Sequence, residues 1–119
     1  MNDDKQQDLR ERYSQLYAAN FHFECGDGWF DLVGTLSERI VELIVFVPEV
    51  DRVKMRVGEL KEKFGELRVY MDGKATGDIY AVIRNARDSS LKICDVCGAS
   101  GQLRRVHWYF ERTRCPAHC

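Results

Sequence analysis

Cys94-Asp95-Val96-Cys97-Gly98, followed at the far end of the chain by Cys115-Pro116-Ala117-His118-Cys119, is the stretch that decides the fold. Seventeen residues separate Cys97 from Cys115. Two thiols three positions apart on a tight turn can face one ion, and a second Cys/His pair across a hairpin completes four donors. This is the spacing of a zinc ribbon. Gly98 directly after the second thiol suits the sharp turn, because a residue without Cβ accepts φ > 0. Cys94, Cys97 and Cys115 are the first three expected ligands. His118, giving C-x2-H, is preferred as the fourth over the terminal Cys119, which gives C-x3-C and lies where chains fray. Four protein ligands would close the shell, so the expected Zn2+ is structural; a catalytic zinc keeps an open position.

Disulfides are the competing reading. The chain has five cysteines, an odd number, and the segment Met1–Arg12 is polar and charged with no apolar leader. That predicts a cytoplasmic location, where thiols stay reduced and clustered cysteines bind metal. Cys25 stands alone and reads as a small buried hydrophobe.

The length of 119 residues suits one domain. Hydrophobic residues at 45 % and charged residues at 31 % place it among ordinary globular chains, and no apolar run is long enough for a membrane span. A net charge of −1 argues against a dedicated basic nucleic-acid binder. The charge is uneven, however. Residues 1–31 carry seven acids and three bases, whereas Arg104, Arg105, Arg112 and Arg114 face only Glu111 after Cys97.

Upstream of the knuckles the patterns predict an α+β body. Leu9, Tyr13, Leu16 and Tyr17 make one stripe of a helix over 5–20, capped by Asp3 or Asp4. Gly26-Asp27-Gly28 reads as a capping turn before a central helix over 29–47, which has a wide apolar stripe and stops at Pro48. Val53, Met55 and Val57 alternate with charges as a strand. Leu67, Val69 and Met71 do so again within 64–71, and Asp72-Gly73 is a turn signal. A helix over 76–92, capped by Thr76 or Asp78, leads to Cys94. Leu103–Arg105 and Trp108–Arg112 are the expected ribbon strands. The organisation is thus an α+β body over 1–92 with a zinc-ribbon-like subdomain over 93–119 docked on it, one compact domain overall.

The set Glu24-Cys25-Gly26-Asp27-Gly28-Trp29-Phe30, Lys61-Glu62-Lys63-Phe64-Gly65-Glu66-Leu67-Arg68 and Cys94-x2-Cys97-Gly98 with the terminal Cys/His pair resembles a family of small uncharacterised bacterial and phage proteins. The resemblance implies a bacterial or bacteriophage cytosolic protein with a C-terminal zinc ribbon. It brings no activity with it.

For function, the chain lacks a P-loop, a dinucleotide glycine pattern, a nucleophile elbow and an H-E-x-x-H helix. Glu24 and Asp27 beside His22 could serve hydrolysis, but no motif pairs them. The expectation is therefore a non-enzymatic protein-interaction module, in its concrete form a phage-type inhibitor of a host defence or regulatory complex. Glu24, Asp27, Lys61, Lys63, Arg68, Arg104 and Arg105 are its candidate partner contacts. The alternative is a nucleic-acid-binding ribbon, with arginines on phosphate and Trp108 or Tyr109 stacked on a base.

Overall fold

The computed structural model describes residues 1–107 and 110–119. Four helices and two antiparallel hairpins are arranged as an α+β body with the cysteine cluster at one end. The elements are α1 (Asp3–Arg12), α2 (Phe30–Ile44), α3 (Glu49–Arg52), β1 (Arg56–Lys63), β2 (Glu66–Asp72), α4 (Gly77–Ser90), β3 (Gln102–His107) and β4 (Phe110–Arg114).

α2 is the centre of the body, as its stripe predicts. Val33, Leu36, Ile40 and Ile44 are buried, and α4 packs across it with Ile79, Val82 and Ala86. β2 lies against α4, and Leu60, Leu67 and Val69 close the core from the sheet side. Trp29 is fully buried at the entry to α2, so truncation to Ala would cost about 3–5 kcal/mol. Its indole N–H donates to the Ile93 carbonyl at 2.9 Å, which ties the core to the residue before the first knuckle. Thr76 caps α4 as expected, and α2 ends at Ile44, one turn before Pro48.

Three local expectations are corrected. The first helix stops at Arg12 rather than running to residue 20, and its cap is Asn2, which accepts from the Lys5 amide at 2.8 Å. Leu9, Tyr13, Leu16 and Tyr17 are nevertheless all buried, because turns after Arg12 keep them on one side. The first predicted strand begins only at Arg56: a turn after the short helix α3 leaves Val53 exposed while Met55 and Val57 are buried. β1 then runs on through Glu59–Lys63. A bulge between Val57 and Glu59 shifts the alternation, so Leu60 rather than Glu59 returns to the core.

The β1–β2 hairpin turns at Phe64-Gly65, while Asp72-Gly73, the turn signal read after the second strand, ends β2 with Gly73 at φ 82. Phe64 at φ 53 and Gly65 at φ 82 make a two-residue loop with two left-handed positions. Asp72-Gly73 leads out of β2 toward α4. In the second hairpin Leu103 pairs with Thr113 and Arg105 with Glu111. Its second strand is described from Phe110; Trp108 and Tyr109 lie outside the described residues.

Candidate metal centre

Two short turns aim the four donors at one point. In the first, the Cys94 amide donates to the Ala99 carbonyl at 2.7 Å and the Gly98 amide to the Cys94 carbonyl at 2.9 Å, with Gly98 at φ 83. In the second, Pro116–His118 forms a 3-10 turn whose His118 amide returns to the Cys115 carbonyl at 3.0 Å. β3 and β4 bring the two turns together.

The donor atoms of Cys94, Cys97, Cys115 and His118 all lie within 4.8 Å of one another. Cys97 Sγ is 3.7 Å from Cys115 Sγ, and His118 Nδ1 is 3.8 Å from Cys94 Sγ and 3.2 Å from Cys115 Sγ. A tetrahedron with metal–sulfur bonds of about 2.3 Å and metal–nitrogen bonds of about 2.0 Å has edges of about 3.5–3.8 Å. The Cys97–Cys115 separation matches that figure, the His118 separations fall on either side of it, and the cluster can hold a metal ion. No disulfide joins any of the five cysteines. Of the two candidates for the fourth position, His118 is in the cluster. Cys119 is exposed, with its thiol on the Pro116 carbonyl at 3.2 Å.

The surroundings favour a thiolate at Cys94, whereas the Cys97 thiol is shifted upward. Burial pushes the Cys94 thiol up, but backbone hydrogen bonds with Cys115, Cys97 and Val96 outweigh it and bring it down to about 6. Arg114 braces both turns. Its Nε lies 2.6 Å from Oδ1 of the buried Asp95, and its NH1 donates to the His118 carbonyl at 3.4 Å. Asp95 sits between the first two ligands, so this one guanidinium joins the knuckles from outside the cluster.

The body forms one wall of the site. The Gly28 amide donates to the Asp95 carbonyl at 3.0 Å. Thr113 is fully buried and donates through Oγ1 to the Gly65 carbonyl at 2.6 Å, seating the β1–β2 turn on the ribbon. Arg112 reaches Glu62 Oε2 at 3.2 Å, and the same oxygen accepts from the Gly65 amide at 2.7 Å. Sequence reasoning missed Asp95, Thr113, Arg112 and Arg114 as braces. Only their proximity to the knuckles hinted at the role.

The predicted partner contacts do not share one surface. Glu24 and Asp27 line a cleft of about 510 Å3 at the junction of body and ribbon, with His22, Glu62, Arg112 and Arg114. Asp27 does not cap α2; it accepts from the Asn2 amide at 2.7 Å. Lys61 Nζ is 2.8 Å from Glu59, Arg68 Nε is 2.6 Å from Glu66, and Lys63 lies over the Phe64 ring. Arg104 donates to the Arg114 carbonyl at 3.0 Å, while Arg105 is exposed. Two of the four ribbon arginines, Arg112 and Arg114, are thus paired with carboxylates. Cys25 is buried, as expected, and burial pushes its thiol up to about 12. Among the described residues no helix is long and apolar enough to cross a membrane.

No family model matches the chain, and neither a curated protein nor a solved structure matches it.

Proposed function

We propose that the chain is a Zn2+-stapled, non-enzymatic module that works by binding another protein. Zinc is the ion best suited to three thiolates and one imidazole in a closed tetrahedral shell, and such a shell leaves no position for a substrate. The metal's role is then to hold the ribbon shut against the body, since binding free energy becomes folding free energy.

The observation that carries the binding role is the elbow between α2 and α3. Val45, Phe46, Val50 and Val53 lie within nine residues, and each is more than half exposed, Phe46 by 84 %. Large apolar side chains gathered in water mark interaction surfaces more often than chance allows. The charged flank Glu49, Asp51 and Arg52 supplies a polar rim. The concrete form we propose is a cytoplasmic inhibitor of a host defence or regulatory complex, and the exposed elbow is the surface it would use. Nucleic-acid binding is the weaker reading, because Arg112 and Arg114 are paired with Glu62 and Asp95.

The test has two arms. Elemental analysis of protein purified without chelator should give one zinc per chain; none would end the zinc assignment. Affinity capture from a bacterial host should recover a partner with the native chain and lose it with Phe46→Asp. Equal recovery by both proteins would remove the elbow from the reading.

A further inference from the structure

A second groove, lined by none of the metal ligands, lies where α1 ends early. It measures about 670 Å3 and is lined by Gln7, Arg10, Glu11, Ser14, Tyr17, Ala18, Ala19 and Arg56. This is within the range of small-molecule sites, about 300–1,000 Å3. Its origin is visible in the backbone. Because the helix stops at Arg12, carbonyls in the turns that follow have no helical partner. Two arginines answer them. Arg10 NH1 donates to the Phe21 carbonyl at 2.7 Å, and Arg56 NH1 donates to the carbonyls of Ser14 and Gln15 at 3.3 and 3.2 Å.

A carbonyl satisfies a donor without cancelling its charge. Among the described residues neither Arg10 nor Arg56 forms an ion pair, although Arg12, Arg68, Arg112 and Arg114 all do. Both guanidiniums keep further N–H donors, since only NH1 of each is bonded to the backbone. Glu11, the one carboxylate lining the groove, is engaged by Gln7 Nε2 at 2.6 Å. Beside these charges stand the methyl groups of Ala18 and Ala19 and the buried Tyr17, an apolar floor.

We propose that this groove binds a small organic anion, its phosphate or carboxylate on Arg10 and Arg56 and its apolar part over Tyr17, Ala18 and Ala19. Planar guanidinium forks match such oxyanions in a bidentate manner, and fixing them beforehand removes part of the ordering cost. The site is independent of the protein-binding role above and of the metal.

The test is an amide-detected NMR titration of the full, metal-loaded chain with phenyl phosphate, benzoate, inorganic phosphate and phenol. The expected result is saturable shifts over residues 14–19 with phenyl phosphate or benzoate, weaker ones with inorganic phosphate, and none with phenol. Which of the two aromatic anions binds tighter assigns the head group. Arg10→Gln and Arg56→Gln should each weaken binding at least about tenfold, a loss typical of a charged hydrogen bond. Glu11→Gln removes the competing carboxylate from an exposed position and should tighten binding; it decides the matter should either arginine variant fail to fold. Absence of saturable shifts at millimolar ligand, or affinity indifferent to Glu11→Gln, overturns the proposal. So does binding of an acidic peptide with no response to the small anions, which would make the groove a polypeptide site.

Discussion

Gly28 lies so close to Cys94 that a Cβ on it would stand 2.1 Å from the Cys94 carbonyl oxygen. The same atom would be 2.6 Å from the Gly98 nitrogen, so the first knuckle rests directly on the backbone of the turn before α2. Neither neighbour is a flexible side chain that can swing away. Gly28→Ala should therefore push the knuckle off its seat, costing about 1–3 kcal/mol as overpacking does. Chemical denaturation of the metal-loaded protein checks the stability, and competition with a chelator checks the metal. An alanine variant with native behaviour in both would contradict this packing.

Arg114 predicts an effect on the ion without touching it. Removing the link between Asp95 and the His118 carbonyl with Arg114→Gln should weaken metal affinity about 10–100-fold, the usual cost of losing an outer-shell partner. A competitive chelator titration reads this directly.

The thiols should fall into three reactivity groups. Cys119 is exposed and should react with a thiol reagent at once, while Cys94, Cys97 and Cys115 should react only after a chelator removes the ion. Cys25 should wait for unfolding, because burial holds its thiol protonated up to about pH 12. Cys119→Ser should keep the metal and His118→Ala should lose affinity for it. Retention of full affinity in His118→Ala would return the fourth position to Cys119.

Phe64 occupies the left-handed region at φ 53, is well exposed, and has the Lys63 ammonium 5.6 Å from its ring centroid. A non-glycine residue pays about 1–2 kcal/mol there. Phe64→Asn or Phe64→Gly should relieve that strain and raise the thermal midpoint by a few degrees, on the order of 1 kcal/mol. A lower midpoint would mean that the ring makes contacts worth more than the strain.

Alkaline pH should destabilise the fold through two buried groups. Burial raises both the Cys25 thiol, from 9.0 to about 12, and the Tyr17 phenol, which also bonds Ser37 Oγ at 2.6 Å. Above pH 9 the unfolded chain releases the Cys25 proton while the folded chain retains it. The native state then binds more protons, and unfolding free energy falls as pH rises. The contribution of Cys25 is intact below about pH 9 and disappears by about pH 12. Urea unfolding across that window should show the decline, and Cys25→Ala should reduce it, leaving the part due to Tyr17.

Periodicity exposed the elements whose side chains repeat cleanly. α2 and α4 were legible from their stripes, and the knuckles from the spacing of Cys94, Cys97, Cys115 and His118. What stayed hidden came from tertiary partners. α1 stops at Arg12 although the pattern runs on to Tyr17, because Arg56, 42 residues beyond Ser14, supplies the hydrogen bond that frees the turn. The bulge at Gly58 breaks the alternation that marked Val53, Met55 and Val57, so the rest of β1 looked like a connector. Gly26 and Gly28 suggested a cap, since one strand of text does not reveal that a distant backbone presses against them.

The buried Thr113 hydroxyl on the Gly65 carbonyl has a bearing on how this chain can be rearranged. It makes the last 27 residues a keystone rather than an appendix: cut out and grafted elsewhere, the hairpin would leave Thr113 and Asp95 facing water or a foreign wall. Descendants of this architecture should therefore inherit the two glycine-bearing turns and the cysteine tail together, and shuffling by recombination between them should yield insoluble chimaeras.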